Sequence, residues 1–226
     1  MIESFLEYLI LERKYSNHTV IAYRNDITSF FEFCMDEYET KNLTEVGYNQ
    51  IRSWIVKLVD EGISNNSINR KISSLKSFYK FLQKTGQVKT NPLVKHKSLK
   101  VAKKVQVPFT SKEINEVIDD LEIGNDFKSF RNKLIVELFY STGMRRAELI
   151  NLKSNTVNFQ SKTIKVLGKR NKERLIPLIP SVLKTIENYL IFKKKIVTNT
   201  NYLFVTEKGN KIYETLVYRV INNYFS

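Results

Sequence analysis

Residues 138–154 read LFYSTGMRRAELINLKS. An apolar run ends at Ser141-Thr142-Gly143, two arginines follow at Arg145 and Arg146, and Glu148 lies three residues beyond the first of them. The spacing predicts a helix that breaks at Gly143 and a new helix that opens on the arginine pair. That placement runs against the helix macrodipole, whose positive end prefers acids and hydroxyls. A guanidinium there is well placed when its partner is an anion, above all a phosphate. The plainer alternative is a surface Arg145 that pairs loosely with Glu148.

Downstream of this stretch the apolar period changes from helical to alternating. Residues 163–167 and 173–178 are predicted strands around a Gly168-Lys169-Arg170-Asn171 turn. A helix over 181–194 follows, then a short strand, YLFV (202–205), and an amphipathic segment, YETLVYRVINNYF (213–225). Upstream, Thr110 and Glu113 have the spacing of a capping box, and Leu134, Ile135, Leu138 and Phe139 mark the helix that leads into the motif. Residues 108–226 therefore read as one domain.

The first 86 residues read as four helices. Their apolar stripes are Phe5, Leu6, Leu9 and Ile10; Val20, Tyr23, Ile27, Phe30, Phe31 and Cys34; Ile51, Trp54, Ile55, Leu58 and Val59; and Ile68, Ile72, Leu75, Tyr79 and Leu82. Gly62 and Gly86 stop the last two. Opposite the fourth stripe, at ~100° per residue, lie Asn66, Arg70, Ser73, Ser77, Lys80 and Lys84. Small hydroxyls between cations let a helix approach a groove while the long side chains reach phosphates. An ordinary solvated face would mix glutamates with the lysines, and this one has none. Residues 87–107 hold Asn91-Pro92 and six lysines without a strong period, which marks a basic linker.

Composition narrows the function. The 226 residues are 42% hydrophobic, enough for a packed core. One cysteine and two histidines, His18 and His96, leave no disulfide framework and no ordinary Cys/His zinc site. Cys34 lies on an apolar stripe and reads as core. Residues 1–16, MIESFLEYLILERKYS, lack the basic start and long apolar run of a signal peptide. No run approaches the ~20 apolar residues of a membrane span. A soluble, cytoplasmic protein without a membrane partner is expected.

The net charge is +14, and it is unevenly placed: residues 1–62 carry 6 Lys/Arg against 11 Asp/Glu, whereas residues 63–107 carry 11 Lys/Arg and no acid. Such a stretch suits a polyanion, with nucleic acid first. A membrane surface fits less well, because the stretch lacks a continuous face of Trp, Phe and Leu beyond what a core needs.

STGMRRAELINL and VLGKRNKERLIPL, in that order and at that separation, resemble two catalytic boxes of the tyrosine recombinases, the phage integrase and Xer family of site-specific DNA strand exchangers. The resemblance covers essentially the whole chain. It implies a mainly α fold with a small β-sheet: a four-helix, SAM-like core-binding domain over 1–86, the linker 87–107, and over 108–226 the first part of a mixed α/β catalytic domain. In the first box the arginine after Thr-Gly-apolar is catalytic, which implies Arg145 rather than Arg146, with Glu148 in support. In the second the lysine after Gly is catalytic, which implies Lys169. Arg170 stands where the family usually has Gly. DNA contacts are expected from Asn66, Arg70, Ser73, Ser77, Lys80 and Lys84, from Lys103 and Lys104 in the linker, and from Arg170 and Lys172 in the hairpin.

In the family a tyrosine attacks a phosphodiester, giving a 3′-phosphotyrosine and a free 5′-hydroxyl without metal or cofactor. The later family box, a His or Lys three residues before a second arginine and then a late tyrosine, has no match here. His18 and His96 lie far upstream, none of the twelve tyrosines sits in a matching context, and Tyr224 precedes where that box would begin. The expectation is a stretch truncated before the box, which binds double-stranded DNA and does not cut it. The front end favours a Xer-type enzyme of chromosome dimer resolution, partition and cell division. Such an enzyme works in a tetrameric synapse of one recombinase or of two related ones. A noncatalytic DNA-binding clamp or decoy is the alternative reading, and an RNA-binding helical module a weaker one.

Overall fold

The computed structural model describes residues 1–102, 105, 107–120, 126–168, 172–196 and 199–225. It falls into two units, Met1–Val105 and Gln106–Ser226. Lys103, Lys104, Lys169 and Arg170, each expected at a functional surface, lie outside the described residues.

The first unit holds four α-helices: α1 (Ile2–Leu11), α2 (Asn17–Tyr38), α3 (Tyr48–Asp60) and α4 (Asn65–Lys84). Ser16 and Ser64 cap α2 and α4, each hydroxyl accepting from a backbone N–H three residues on. Gly62 and Gly86 take the left-handed conformation just past α3 and α4 (φ 76° and 72°), which a glycine adopts without steric cost. The four stripes converge on one core that contains Phe5, Ile27, Phe30, Trp54, Leu75 and Tyr79. The Tyr79 hydroxyl donates to the Leu43 carbonyl at 3.0 Å, so its polar end is satisfied inside that core. Ile10 and Val59 are exceptions to the expected stripes: both are exposed. Each follows a buried residue, and one step along a helix is a ~100° turn that carries the next side chain off the buried arc.

Residues 87–102 are held against this unit by polar side chains that no hydrophobic period would reveal. Leu93 is fully buried. The Asn69 amide donates to the Leu99 carbonyl and accepts from the Leu99 N–H, both at 2.9 Å. Asn65 donates to the Lys100 carbonyl at 2.8 Å and Asn91 to the Lys76 carbonyl at 3.2 Å.

The second unit opens with α5 (Ser111–Asp120), entered through the Thr110–Glu113 capping box. Helix α6 (Phe127–Thr142) ends at Gly143, whose φ of 58° turns the chain and whose N–H closes on the Phe139 carbonyl. The five-residue α7 (Arg146–Ile150) follows. Strands β1 (Val157–Asn158), β2 (Thr163–Leu167) and β3 (Glu173–Pro177) form an antiparallel sheet in that order. Ile164 lies opposite Val157 on one side and Ile176 on the other. Along β2 the side chains alternate, Ile164 and Val166 buried in the core and Lys165 and Leu167 outward. Helices α8 (Pro180–Ile196) and α9 (Glu214–Phe225) complete the unit, over a core that includes Leu138, Leu149, Ile186, Tyr189 and Phe204.

The expected YLFV strand is absent from this sheet. Its residues make isolated bridges, Lys153 with Tyr202 and Val205 with Lys211. Leu203, Phe204 and Val205 are all buried, so the run has no solvent-facing side to alternate with. The buried Lys193 ammonium donates to the Ser154 hydroxyl at 3.0 Å and to the Tyr202 carbonyl, bracing this crossing, and burial lowers its pKa. Among the described residues no helix is long and apolar enough to cross a membrane.

Candidate active site

Arg145 is the N-cap of α7, with extended backbone (φ −78°, ψ 151°). Glu148, at the third helical position, reaches back and accepts the Arg145 backbone N–H at 2.8 Å. This is the acid half of a capping box, and it is why a helix can begin on an arginine. Glu148 is no loose surface partner. Its side chain is only 6% exposed, and it accepts from two guanidinium groups. Arg145 Nη1 donates to Oε1 at 3.0 Å. Arg174, from β3, places its fork on both oxygens, Nη1 to Oε1 at 2.9 Å and Nη2 to Oε2 at 2.8 Å.

Those four N–H donors hold the Glu148 carboxyl down at about 2. The Arg174 hydrogen bonds contribute most, burial opposes them, and the two Arg145 donors add to the lowering. Glu148 is therefore an acceptor and a fixed negative charge at neutral pH. The Arg145 side chain is 69% exposed and makes one internal hydrogen bond among the described residues, which leaves further N–H donors for a ligand.

These groups lie beside a cleft of about 660 Å³, lined by Arg145, Glu148, Asn151, Lys153 and Lys165 among others. Lys165 pairs with Glu173 across β2 and β3 at 3.3 Å, and Lys211 donates to the Asn151 amide oxygen at 2.6 Å. Gly168, the last described residue before 169–171, is bound to the Lys172 carbonyl through its N–H at 2.8 Å. A Cβ built on Gly168 would meet Arg174 Nη1 at 3.1 Å and Glu148 Oε1 at 3.4 Å, so the backbone passes directly against the ion pair. Arg146, one residue from Arg145, points elsewhere and pairs with Glu214 of α9 at 2.7 Å on the surface.

The sequence reading missed Arg174, Lys153 and Lys165. For Arg174 a signal existed. A strand alternates, so Lys172 and Arg174 share a face of the hairpin, and a buried Glu148 requires a cation.

In the first unit, Asn66, Arg70, Ser73, Lys80 and Lys84 are exposed on α4, and Ser77 is half-buried. Two of these cations are already engaged. Arg70 donates bidentately to the buried Asp26, at 2.6 and 2.8 Å, and Lys71 and Ser74 bind the same carboxylate at 3.4 and 2.7 Å. Lys84 reaches Glu12 at 3.4 Å and lies over the Tyr8 ring. Ser77, Lys80 and Lys84 line a groove of about 350 Å³ with Arg13, a cation the α4 pattern could not include.

Residues 2–86 match the family model described as "Phage integrase, N-terminal SAM-like domain", and residues 108–225 match "Phage integrase family". A relative from Staphylococcus saprophyticus subsp. saprophyticus, "Tyrosine recombinase XerC", is 34% identical over 98% of this chain and 74% of its own length. Among solved structures, the Tn1549 transposon integrase bound to transposon right end DNA aligns over 99% of this chain and 78% of its own, with 17% identity and a TM-score of 0.79. A lambda integrase tetramer bound to a Holliday junction aligns over 99% of this chain and 61% of its own, with 18% identity and a TM-score of 0.74. At such identities these last two are likenesses of fold.

Proposed function

We propose a specific division of labour from one premise: the chain belongs to the phage integrase family, the tyrosine recombinases. The observation that carries the proposal is the braced, solvent-facing Arg145 at a cleft that Lys153 and Lys165 also line. In strand exchange a tyrosine oxygen attacks phosphorus and the bond from phosphorus to the 5′ oxygen breaks. Negative charge grows on the nonbridging oxygens meanwhile. Arg145 meets that charge, and its fork needs no reorganisation because Glu148 already orients it. Lys169 passes a proton to the departing 5′ oxygen. The α4 face, with Asn66, Ser73, Ser77, Lys80 and Lys84, and the lysines of 87–107 hold duplex DNA, as do Arg170 and Lys172.

The nucleophile is not among the twelve tyrosines of this sequence. No tyrosine is among the described residues that line the cleft. Tyr79 and Tyr189 are buried and hydrogen-bonded, and burial raises their pKa. These 226 residues thus bind DNA and stabilise the phosphate without cutting it. The relatives named XerC support a role in chromosome dimer resolution in the cytoplasm. The four-protomer assembly of the lambda integrase on a junction supports a tetramer on DNA, of one recombinase or of two related ones.

The test uses the 226-residue chain with random-sequence duplexes, intact and nicked, across a salt titration. Binding should weaken with salt at a log-log slope of about −0.9 per phosphate neutralised, and no covalent protein–DNA adduct should form. Arg145→Ala should weaken binding, while Arg146→Ala should leave it within a few fold. Affinity independent of salt, or equal affinity for anionic vesicles, refutes the DNA reading. An adduct on any tyrosine of the chain refutes the assignment of the nucleophile.

A further inference from the structure

Arg174 has no role in the division of labour above, yet it makes the two side-chain hydrogen bonds on which the geometry of Glu148 depends. A carboxylate offers about four acceptor positions. The Arg174 fork takes one on each oxygen, and Arg145 takes one on each oxygen through its backbone N–H and Nη1. The plane of the carboxylate is set by the fork, because two parallel N–H groups fix an orientation that a point charge cannot. What remains for Arg145 Nη1 is then a single direction. That one bond is the only internal tie of its side chain among the described residues.

We propose that Arg174 is the positioning residue of this site: it holds Glu148 in plane and ionised, and through it sets the direction of the Arg145 guanidinium. The proposal rests on the strand-exchange reading for the use Arg145 makes of that direction. It also gives Gly168 a reason. A Cβ at Gly168 would stand 3.1 Å from the Arg174 guanidinium, so any larger residue there would press on the pair. Strand β3 is thereby anchored at the start of α7 by a contact that spans 26 residues of sequence. A merely structural ion pair would also stabilise the fold, so the test must read Glu148 and Arg145 themselves. The other charged groups that line the cleft are Lys153, Lys165 and Glu173, and all stay unchanged in the variants.

Arg174→Gln is made in the 226-residue chain and followed by NMR. The Glu148 carboxyl carbon reports ionisation against pH, and the Arg145 Nε–H relaxation reports side-chain order. Affinity for a duplex is measured for Arg145→Ala, Arg174→Gln and the double variant. In the folded variant Glu148 should take up its proton at least about one pH unit higher, tenfold in proton affinity. Arg145 should lose order, and the double variant should bind no more weakly than Arg145→Ala alone. Unchanged Glu148 titration and Arg145 order overturn the proposal, as do fully additive losses of affinity. If Arg174→Gln does not fold, Arg174→Lys carries the same readings, because an ammonium cannot reproduce the fork. Should Arg145→Ala leave affinity unchanged, the strand-exchange reading fails, and the two NMR readings still decide whether Arg174 positions Arg145.

Discussion

Arg70→Ala separates a DNA contact from a fold contact in a single substitution. On the outer face of α4, Arg70 looks like a phosphate ligand, but its fork is already placed on Asp26, whose side chain is 2% exposed. Stripping the partner from a buried carboxylate costs roughly 3–5 kcal/mol. Two features reduce that figure here. Lys71 and Ser74 stay on the same carboxylate, and the Arg70 side chain is itself 53% exposed, so part of its attraction is screened by water. The expected loss is about 2–3 kcal/mol. For a unit of this size that is a fall of ~10–15 °C in Tm. Thermal unfolding by circular dichroism measures it, beside a salt titration of duplex binding. Arg70→Ala should change the salt slope by much less than the ~0.9 of one phosphate contact. Lys80→Ala should remove about that amount and leave Tm nearly unchanged. An unchanged Tm for Arg70→Ala, together with a slope flatter by one contact, would refute the reasoning and return Arg70 to the DNA.

Two further outcomes follow from single side chains. Glu148 is lowered from its ordinary 4.5 to about 2. Its stabilisation is therefore complete above about 4.5 and is lost as the pH falls toward 2, by about 3 kcal/mol at ~1.4 kcal/mol per tenfold change in proton affinity. Urea unfolding from pH 6 downward should show that loss, and Glu148→Gln should start less stable and show less of it. Burial pushes the Cys34 thiol up to about 11, so at neutral pH it is protonated as well as enclosed. A chromogenic disulfide reagent should label it only as fast as the first unit opens, and labelling at the rate of a free thiol would count against that packing.

Much of the helical unit was legible because burial writes a period into sequence. Ile68, Ile72, Leu75, Tyr79 and Leu82 recur at helical spacing, and all five are buried. Polar tethers leave no period. Asn65, Asn69 and Asn91 hold residues 87–102 through side-chain hydrogen bonds to backbone, and nothing in their spacing announces a partner about 15 to 35 residues away. Asp26 was hidden for the same reason, as one acid on an otherwise apolar arc whose cations come from another helix. In the second unit Arg145 and Glu148 could be read together because three residues separate them along a helix. Arg174 joins them only through the register of a hairpin and the docking of that hairpin on α7, which are tertiary facts. YLFV misled because a fully buried run carries apolar residues whether or not it joins a sheet.

Helix α7 is five residues long, far below the length at which an isolated helix persists in water. Its first turn is closed by the Leu149 N–H on the Arg145 carbonyl and by Glu148, and Glu148 is held by a residue of β3. The turn and the hairpin are thus coupled through Glu148, beside the core packing of Leu149 and Ile150. They form one cooperative opening unit, so amide exchange at Leu149 should share a single opening free energy with the β2–β3 ladder. A fluctuation that lifts the hairpin takes Arg174 from Glu148 and so loosens the turn that aims Arg145.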